Sequence, residues 1–445
     1  MEQYYDLFVI GTGSGGSDAA QMCREAGWKV AIADRLPFGG TCSLRGCNPK
    51  KTLASAAEMI NRYNHMKDKG LIGSISMDWN RLMQFKRTLV EPIPQMKERA
   101  FTSMGIDQFH GTCRFTGKNS VTVNGDSFRA RHVLVATGSR PADFPFPGSE
   151  YLTHSDRFLD LDNLPSRVVF LGGGYISFEF AHIAASAGAK VTILEAAERP
   201  LRKFDSQLVD MLVDASKKAG IEIHTSAPVQ SIEKGEGEFF IHAGSYRLTA
   251  DLVVHGGGRV PDLDDLDLKA GEIEREGKGI SINGYLQSTS NSAVYVAGDA
   301  NQFGIQLTPV AEMESRIAGH NMLYGNSKRP DYSAFGSAVF TNPSLGAVGL
   351  TEQDARQKKI DCDIQFMDTS SKHITRRLGL THSGFKIISE KGSGKILGAH
   401  MLGHGSEEVI NTFVTAIKSG LTVKQLKEME FVFPTVVYDI VNRLN

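Results

Sequence analysis

Leu7-Phe8-Val9-Ile10-Gly11-Thr12-Gly13-Ser14-Gly15-Gly16 decides the fold. Four consecutive apolar residues read as a short strand buried on both faces, and the glycines after it open an alanine-containing helix. A second strand, Lys29 to Ala33, ends in Asp34. Gly11 permits a tight turn, Gly13 lets backbone approach a pyrophosphate at the helix N-terminus, and Gly16 allows helix and strand to pack closely. The acid, 34 − 16 = 18 residues past the third glycine, is placed to accept from a ribose hydroxyl.

The same pattern returns about 160 residues later. Arg167-Val168-Val169-Phe170-Leu171 leads into Gly172-Gly173-Gly174 and an alanine-rich helix, then Val191-Thr192-Ile193-Leu194 closes on Glu195. Ser177 holds the third-glycine position, and 195 − 177 = 18 repeats the spacing. This internal duplication implies two bound dinucleotides. Between the copies, Tyr63 to Met104 shows helical periodicity interrupted by Pro92 and Pro94, and strand-like segments lead to Val133-Leu134-Val135-Ala136-Thr137-Gly138. Val294-Tyr295-Val296-Ala297-Gly298-Asp299 follows the second copy. From about Tyr332 a separate α/β domain is expected, with a strand at Phe385–Ile388 and a helix from Glu407 to Ser419.

Composition narrows the classes. The 445 residues call for two to four domains, and 41% hydrophobic with 22% charged residues is ordinary for a globular chain. Lys plus Arg number 49 against 50 Asp plus Glu, a net charge of −1 without long single-sign blocks, so nucleic acid is not expected as a partner. No apolar run approaches a membrane span and no signal-like start is seen, so a cytoplasmic protein is expected. Five cysteines are too few for a secreted disulfide framework. Cys23 reads as a small core residue, and Cys113 and Cys362 show no partner. His255, His404 and the other histidines lack metal-ligand spacing, so no metal site is expected.

Cys42 and Cys47 are different. They lie in Gly39-Gly40-Thr41-Cys42-Ser43-Leu44-Arg45-Gly46-Cys47-Asn48-Pro49-Lys50-Lys51. On a regular helix, residues i and i+5 are about 140° apart with roughly 7.5 Å of rise, beyond what a disulfide accepts. Closure needs a distorted turn, for which Gly46 and Pro49 are suited. So short a loop is stabilised little by cross-linking, and a redox-active pair explains it better than a structural bridge.

These residues resemble the pyridine nucleotide-disulfide oxidoreductases, the flavoenzyme family of glutathione reductase, dihydrolipoamide dehydrogenase and mercuric reductase. The resemblance covers nearly the whole chain. It implies an α/β fold with two Rossmann-like domains, the first binding FAD (residues 1–143 and 263–331), the second NADH or NADPH (144–262), and a C-terminal interface domain (332–445) that makes a homodimer. It further implies that Cys42 attacks substrate, that Cys47 contacts flavin as a charge-transfer thiol, and that Lys51 lies beside the flavin with Glu179 as its ion-pair partner. Gly11, Gly13, Gly15, Gly16, Asp34, Thr41, Gly138, Asp299 and Thr308 would hold FAD. Gly172, Gly174, Tyr175 (the gate over the nicotinamide pocket), Ile176, Glu195, Arg202, Gly258 and Arg259 would serve the nicotinamide coenzyme. Glu195 would accept from a 2′-hydroxyl and repel a 2′-phosphate, favouring NADH. Arg199, Arg202 and Lys203 pull toward NADPH, although the other arginine position of NADPH users is Ala196, and the balance favours NADH.

The C-terminus departs from the family. Disulfide reductases carry His-Pro-Thr-x-x-Glu, whose histidine shuttles protons in the partner subunit's site. This chain reads Phe433-Pro434-Thr435-Val436-Val437-Tyr438. Loss of a general acid typically lowers rates by about 10² to 10⁴. An atypical small-molecule electron acceptor is therefore expected. The alternatives are a thioether-cleaving ketone oxidoreductase/carboxylase, by partial resemblance to 2-ketopropyl-coenzyme M oxidoreductase/carboxylase, a soft-metal-ion reductase, or a slow redox-sensing flavoprotein. Mercuric reductase itself is disfavoured, because no cysteine follows Cys362.

Overall fold

The computed structural model describes residues 3–445, which fall into two units. The first comprises the chain up to Pro49, Phe85–Ala142 and Arg259–Asp331. Its parallel sheet runs in the order Asp107–His110, Val30–Asp34, Gln3–Ile10, Asp126–Val135, Val294–Val296. The strand Ser120–Val123 pairs antiparallel with the front half of Asp126–Val135, and Cys113–Gly117 pairs with it in turn. Leu7 pairs with Val30 and Ile10 with Val135, so the apolar run is the sheet's centre, with Leu7, Phe8 and Val9 fully buried.

The glycine turn closes as its composition requires. Gly11 sits at φ +110°, and a Cβ there would fall 2.2 Å from the Ala136 carbonyl oxygen. A Cβ on Gly16 would fall 2.2 Å from the Gly11 oxygen and 2.8 Å from Val9 Cγ1, so the helix Ser14–Glu25 lies on its strand at glycine distance. Gly16→Ala is accordingly expected to lower unfolding stability by about 1–3 kcal/mol through overpacking. Urea unfolding measures this, and an unchanged midpoint would contradict the packing argument.

The second unit comprises Lys50–Gln84, Asp143–Gly258 and Tyr332–Asn445. Its parallel sheet has the order Ile221–His224, Lys190–Leu194, Arg167–Leu171, Leu252–His255, the repeat of the first fingerprint. The C-terminal segment forms a five-stranded antiparallel sheet in the order Ser337–Val339, Ser344–Gly349, Ile396–Gly403, Gly384–Glu390, Cys362–Asp368. The helix Ser406–Lys418 covers it, with Phe385 and Phe413 ring centroids 4.9 Å apart in the core. Fully buried Lys386 binds Asp205 at 2.9 Å and Glu352 at 2.8 Å. Asp205 also caps the helix Ser206–Lys218, so one carboxylate fixes a helix start and neutralises a buried cation.

The expected interruption falls between Trp79–Val90 and Ile93–Met104, where Pro92 caps the second helix and Pro94 sits in its first turn, where a missing N–H is harmless. No helix among the described residues is long and apolar enough to cross a membrane.

Candidate active site

In the first unit, Gly40–Arg45 forms a short helix that stops at Gly46, whose φ −142° and ψ −109° leave the helical region. Cys47 then starts a new helix, Cys47–Met66. Gly46 therefore supplies the distorted turn alone, and Pro49 lies inside the first turn of the new helix, where a missing N–H is harmless. A Cβ on Gly46 would fall 3.0 Å from the Thr41 carbonyl oxygen, so a larger residue would strain the turn.

The Cys42 and Cys47 sulfurs lie close enough to interact. A hydrogen bond with Cys47, reinforced by burial, pushes the Cys42 thiol well above its ordinary value, while Thr308 pulls it down. The surroundings of Cys42 thus favour the protonated thiol. The hydroxyl of Thr308, first residue of the helix Thr308–Tyr324, lies 3.9 Å from Cys47 Sγ.

The glycine turn next to the cysteines is open to a ligand. Gly13 caps the helix Ser14–Glu25 without a side-chain bond; the Gly16 and Ser17 amides bond to its carbonyl, and the Ser14 and Gly15 amides have no partner among the described residues. Gly40 and Gly13 abut, since a Cβ on Gly40 would fall 2.5 Å from Gly13 Cα, and a Cβ on Gly15 would fall 3.1 Å from the Ala297 oxygen. The Thr137 hydroxyl, beside Gly138, is buried without a hydrogen-bond partner among the described residues. Asp34 is anchored, accepting from the Thr12 amide at 2.9 Å, the Thr12 hydroxyl at 2.7 Å and the Leu36 amide at 2.9 Å. Asp299 accepts from Ser139 Oγ at 2.6 Å, and Arg259 Nε donates to the same Ser139 oxygen at 3.0 Å. Burial pushes the Asp299 carboxyl above its ordinary value, against the Ser139 bond and the Arg259 charge. A narrow glycine cradle, free helix amides, an orphaned hydroxyl and a buried acid fit a flavin dinucleotide.

The second unit holds the buried ion pair, and here one expectation is corrected. Glu179, 3% exposed, binds Lys50 at 2.7 Å rather than Lys51. Lys51 is 42% exposed and reaches Glu407 at 3.8 Å. Successive helical residues are rotated about 100° apart, so only one of the two lysines can face Glu179. The Glu179 Oε1 atom also accepts from the Phe340 amide at 2.9 Å, and both lysine ammoniums lie over the Phe340 ring, at 4.0 and 4.1 Å from its centroid.

Around the second glycine turn, Gly174 caps the helix Tyr175–Ser186 without a side-chain bond. Glu195 accepts from the Gly173 amide at 2.5 Å and the Ala197 amide at 2.6 Å, one on each carboxylate oxygen. A Cβ on Gly173 would fall 2.7 Å from Glu195 Oε2, which keeps that position glycine, whereas Gly172 takes φ +94°. Ser177 fits its position because Gly256 leaves room: a Cβ there would fall 1.9 Å from Ser177 Oγ. Tyr175 is 41% exposed, Ile176 is half-buried and Arg202 is exposed. One Arg199 guanidinium nitrogen is buried without a partner among the described residues. Gly258 ends this unit, and Arg259, expected beside the nicotinamide, belongs to the first unit through Ser139. At the C-terminus Phe433 is 68% exposed, and its ring meets Tyr438 edge-on at 5.0 Å.

The family model for pyridine nucleotide-disulphide oxidoreductases matches residues 5–315, and that for the family's dimerisation domain matches 336–443. This chain belongs to the pyridine nucleotide-disulphide oxidoreductase family. It is 31% identical to a glutathione reductase of Burkholderia cepacia over the full length of both chains. A mercuric reductase of Lysinibacillus sphaericus is 32% identical, covering 96% of this chain and 80% of that one. Among solved structures, the HOCl-induced flavoprotein disulfide reductase RclA from Escherichia coli superposes with TM-score 0.89 at 28% identity over 99% of each chain. A Cu(II) complex of RclA gives 0.88 at 27%, covering 99% of this chain and 98% of that one. As in the family, the fold serves FAD and a pyridine nucleotide, and the chain is an oxidoreductase carrying a dimerisation domain.

Sequence reading missed Ser139, Thr12, Thr137 and Phe340. Thr12 and Thr137 lie inside the glycine stretches already singled out, whereas Ser139 and Phe340 sit in no recognisable pattern: Ser139 and Asp299 are 160 residues apart, and Phe340 and Glu179 are 161.

Proposed function

We propose that this family member is a homodimeric NADH-dependent flavoprotein that passes electrons through Cys42 and Cys47 to a thiophilic metal ion. The observation carrying this reading is the pairing of exposed Phe433 with half-buried Tyr438, at the positions where disulfide reductases hold an imidazole and a carboxylate. The exposed Phe433 suits a position offered to a second subunit, in keeping with the dimerisation domain.

FAD, when bound by the first glycine turn, supplies the two-electron link between nicotinamide and the cysteine pair. The thiols of this chain carry the electrons onward. Oxidation of the dithiol to the disulfide releases two electrons and two protons. Two Cu(II) ions becoming two Cu(I), or one ion reduced by two electrons, take the electrons, and the protons pass to water. A disulfide substrate is different, because a thiolate must leave and be protonated, which is the step an imidazole serves. Phe433 has no proton to give, whereas a metal ion asks for none. The Cu(II) complex of RclA belongs to a similar protein, and it supports this acceptor class.

Anaerobic assay with NADH and a Cu(I)-specific chelator tests the acceptor. Wild type is expected to reduce Cu(II), Cys42→Ala to lose that activity, and glutathione disulfide to turn over at least about 100-fold more slowly. Equal turnover of glutathione disulfide would overturn the reading. Coenzyme choice rests on Glu195, whose two oxygens are pinned to backbone amides and would confront a 2′-phosphate with a fixed charge. We expect kcat/KM for NADH to exceed that for NADPH at least about tenfold, and Glu195→Ala to narrow the ratio. A preference for NADPH would contradict it.

A further inference from the structure

A cavity of about 400 Å³ opens in the second unit, within the range of roughly 300–1,000 Å³ typical of small-molecule sites. Its walls are Asn61, Asn64 and His65 on one face of the helix Cys47–Met66, Lys218 at the end of Ser206–Lys218, Asn342, and the loop carrying His382. None of these residues takes part in the redox site described above.

The lining has a definite chemistry. Three carboxamides, two outer imidazoles and one ammonium supply donors, and no carboxylate lines the cavity among the described residues. Ala185, Ala215, Ile221 and Pro343 give it an apolar side. A third imidazole, His182, is already satisfied: its Nε2 lies 2.9 Å from Ser216 Oγ and its Nδ1 accepts from the Asn342 amide at 3.3 Å. Burial lowers it to about 4, so it enters as a neutral wall.

The mouth is held in place by Asp214, outside the lining. Asp214 Oδ2 binds His382 Nε2 at 2.7 Å and Lys218 Nζ at 2.8 Å, and Thr381 Oγ1 lies 2.9 Å from His382 Nδ1. Gly379, at φ +71°, lets this loop approach the helix, since a Cβ there would fall 2.2 Å from the His65 carbonyl oxygen. Lys218 Nζ gives one of its three donors to Asp214 and lies 3.4 Å from His382 Nε2, which leaves a donor for a ligand.

We propose that this cavity is a second ligand site, taking a small organic anion whose carboxylate or phosphate head meets Lys218 and the carboxamides and whose compact apolar body lies against the alanine side. Charge-assisted bonds from an ammonium orient such a head, and the apolar wall selects for the body.

Calorimetric titration of the FAD-loaded protein with phenyl phosphate, benzoate and inorganic phosphate tests it. Saturable binding of phenyl phosphate or benzoate, one per subunit, is expected, and the two heads distinguish phosphate from carboxylate ligands. Lys218→Met should weaken binding at least about tenfold, Asn64→Trp should abolish it by filling the cavity, and Asp214→Asn should tighten it. Lys218, Asn64 and Asp214 are exposed, so these variants should fold, with NADH oxidation unchanged. The proposal fails if neither aryl probe saturates, if Asn64→Trp binds like wild type, or if inorganic phosphate binds as tightly as phenyl phosphate.

Discussion

Lys50→Met lowers stability by about 3–5 kcal/mol, while Lys51→Met changes it by no more than about 1 kcal/mol. The difference follows from burial. Glu179 is 3% exposed, and without Lys50 its charge keeps, among the described residues, the Phe340 amide, 2.9 Å away. Lys51 is 42% exposed and its partner Glu407 is 3.8 Å off, so losing that pair is nearly neutral. Urea unfolding of the FAD-loaded protein reads both effects. The double change Lys50→Met with Glu179→Leu is expected to recover most of the loss, because it removes the stranded charge along with its partner. Equal effects of the two lysine substitutions would contradict the assignment of the buried pair.

Cys47→Ser is expected to abolish the long-wavelength absorbance that anaerobic NADH raises in the FAD-loaded protein, and Cys42→Ser to leave a band of that kind. The reason lies in the unequal surroundings of the two thiols. The Cys47 contact and burial raise the Cys42 thiol, so of the pair Cys47 is the one expected to carry the thiolate that meets the flavin. Spectra of the two variants at matched flavin content decide it. A band that survives Cys47→Ser and vanishes in Cys42→Ser would reverse the two roles.

The legible features of the sequence are local ones. The first glycine turn was legible because each glycine answers a contact within its own strand and helix, as Gly11 and Gly16 show. The cysteine turn was legible as a distortion, although geometry assigns it to Gly46 alone. Adjacent lysines at 50 and 51 could not be separated without knowing where the helix begins. Its start at Cys47 fixes which lysine faces Glu179. Arg259 was legible only as a neighbour of Gly258, and its bond to Ser139, in a strand pairing of Arg259–Pro261 with Ser139–Pro141, was not. Such partners are set by sheet topology, which short-range pattern does not encode.

Exposed Phe433, with half-buried Tyr438 against it, stands where the family's proton-transfer pair is expected. On the proposed reading the two rings take a proton donor out of the chemistry and leave the dithiol intact, which favours an acceptor that takes electrons alone.

The most direct measurement is a single turnover. Protein reduced with one equivalent of NADH per flavin, freed of excess coenzyme and mixed anaerobically with Cu(II), should lose its thiolate absorbance and yield about two Cu(I) per subunit while Cys42 and Cys47 become a disulfide. A reduced protein that keeps its dithiol in the presence of Cu(II), yet transfers its electrons readily to glutathione disulfide, would contradict the account.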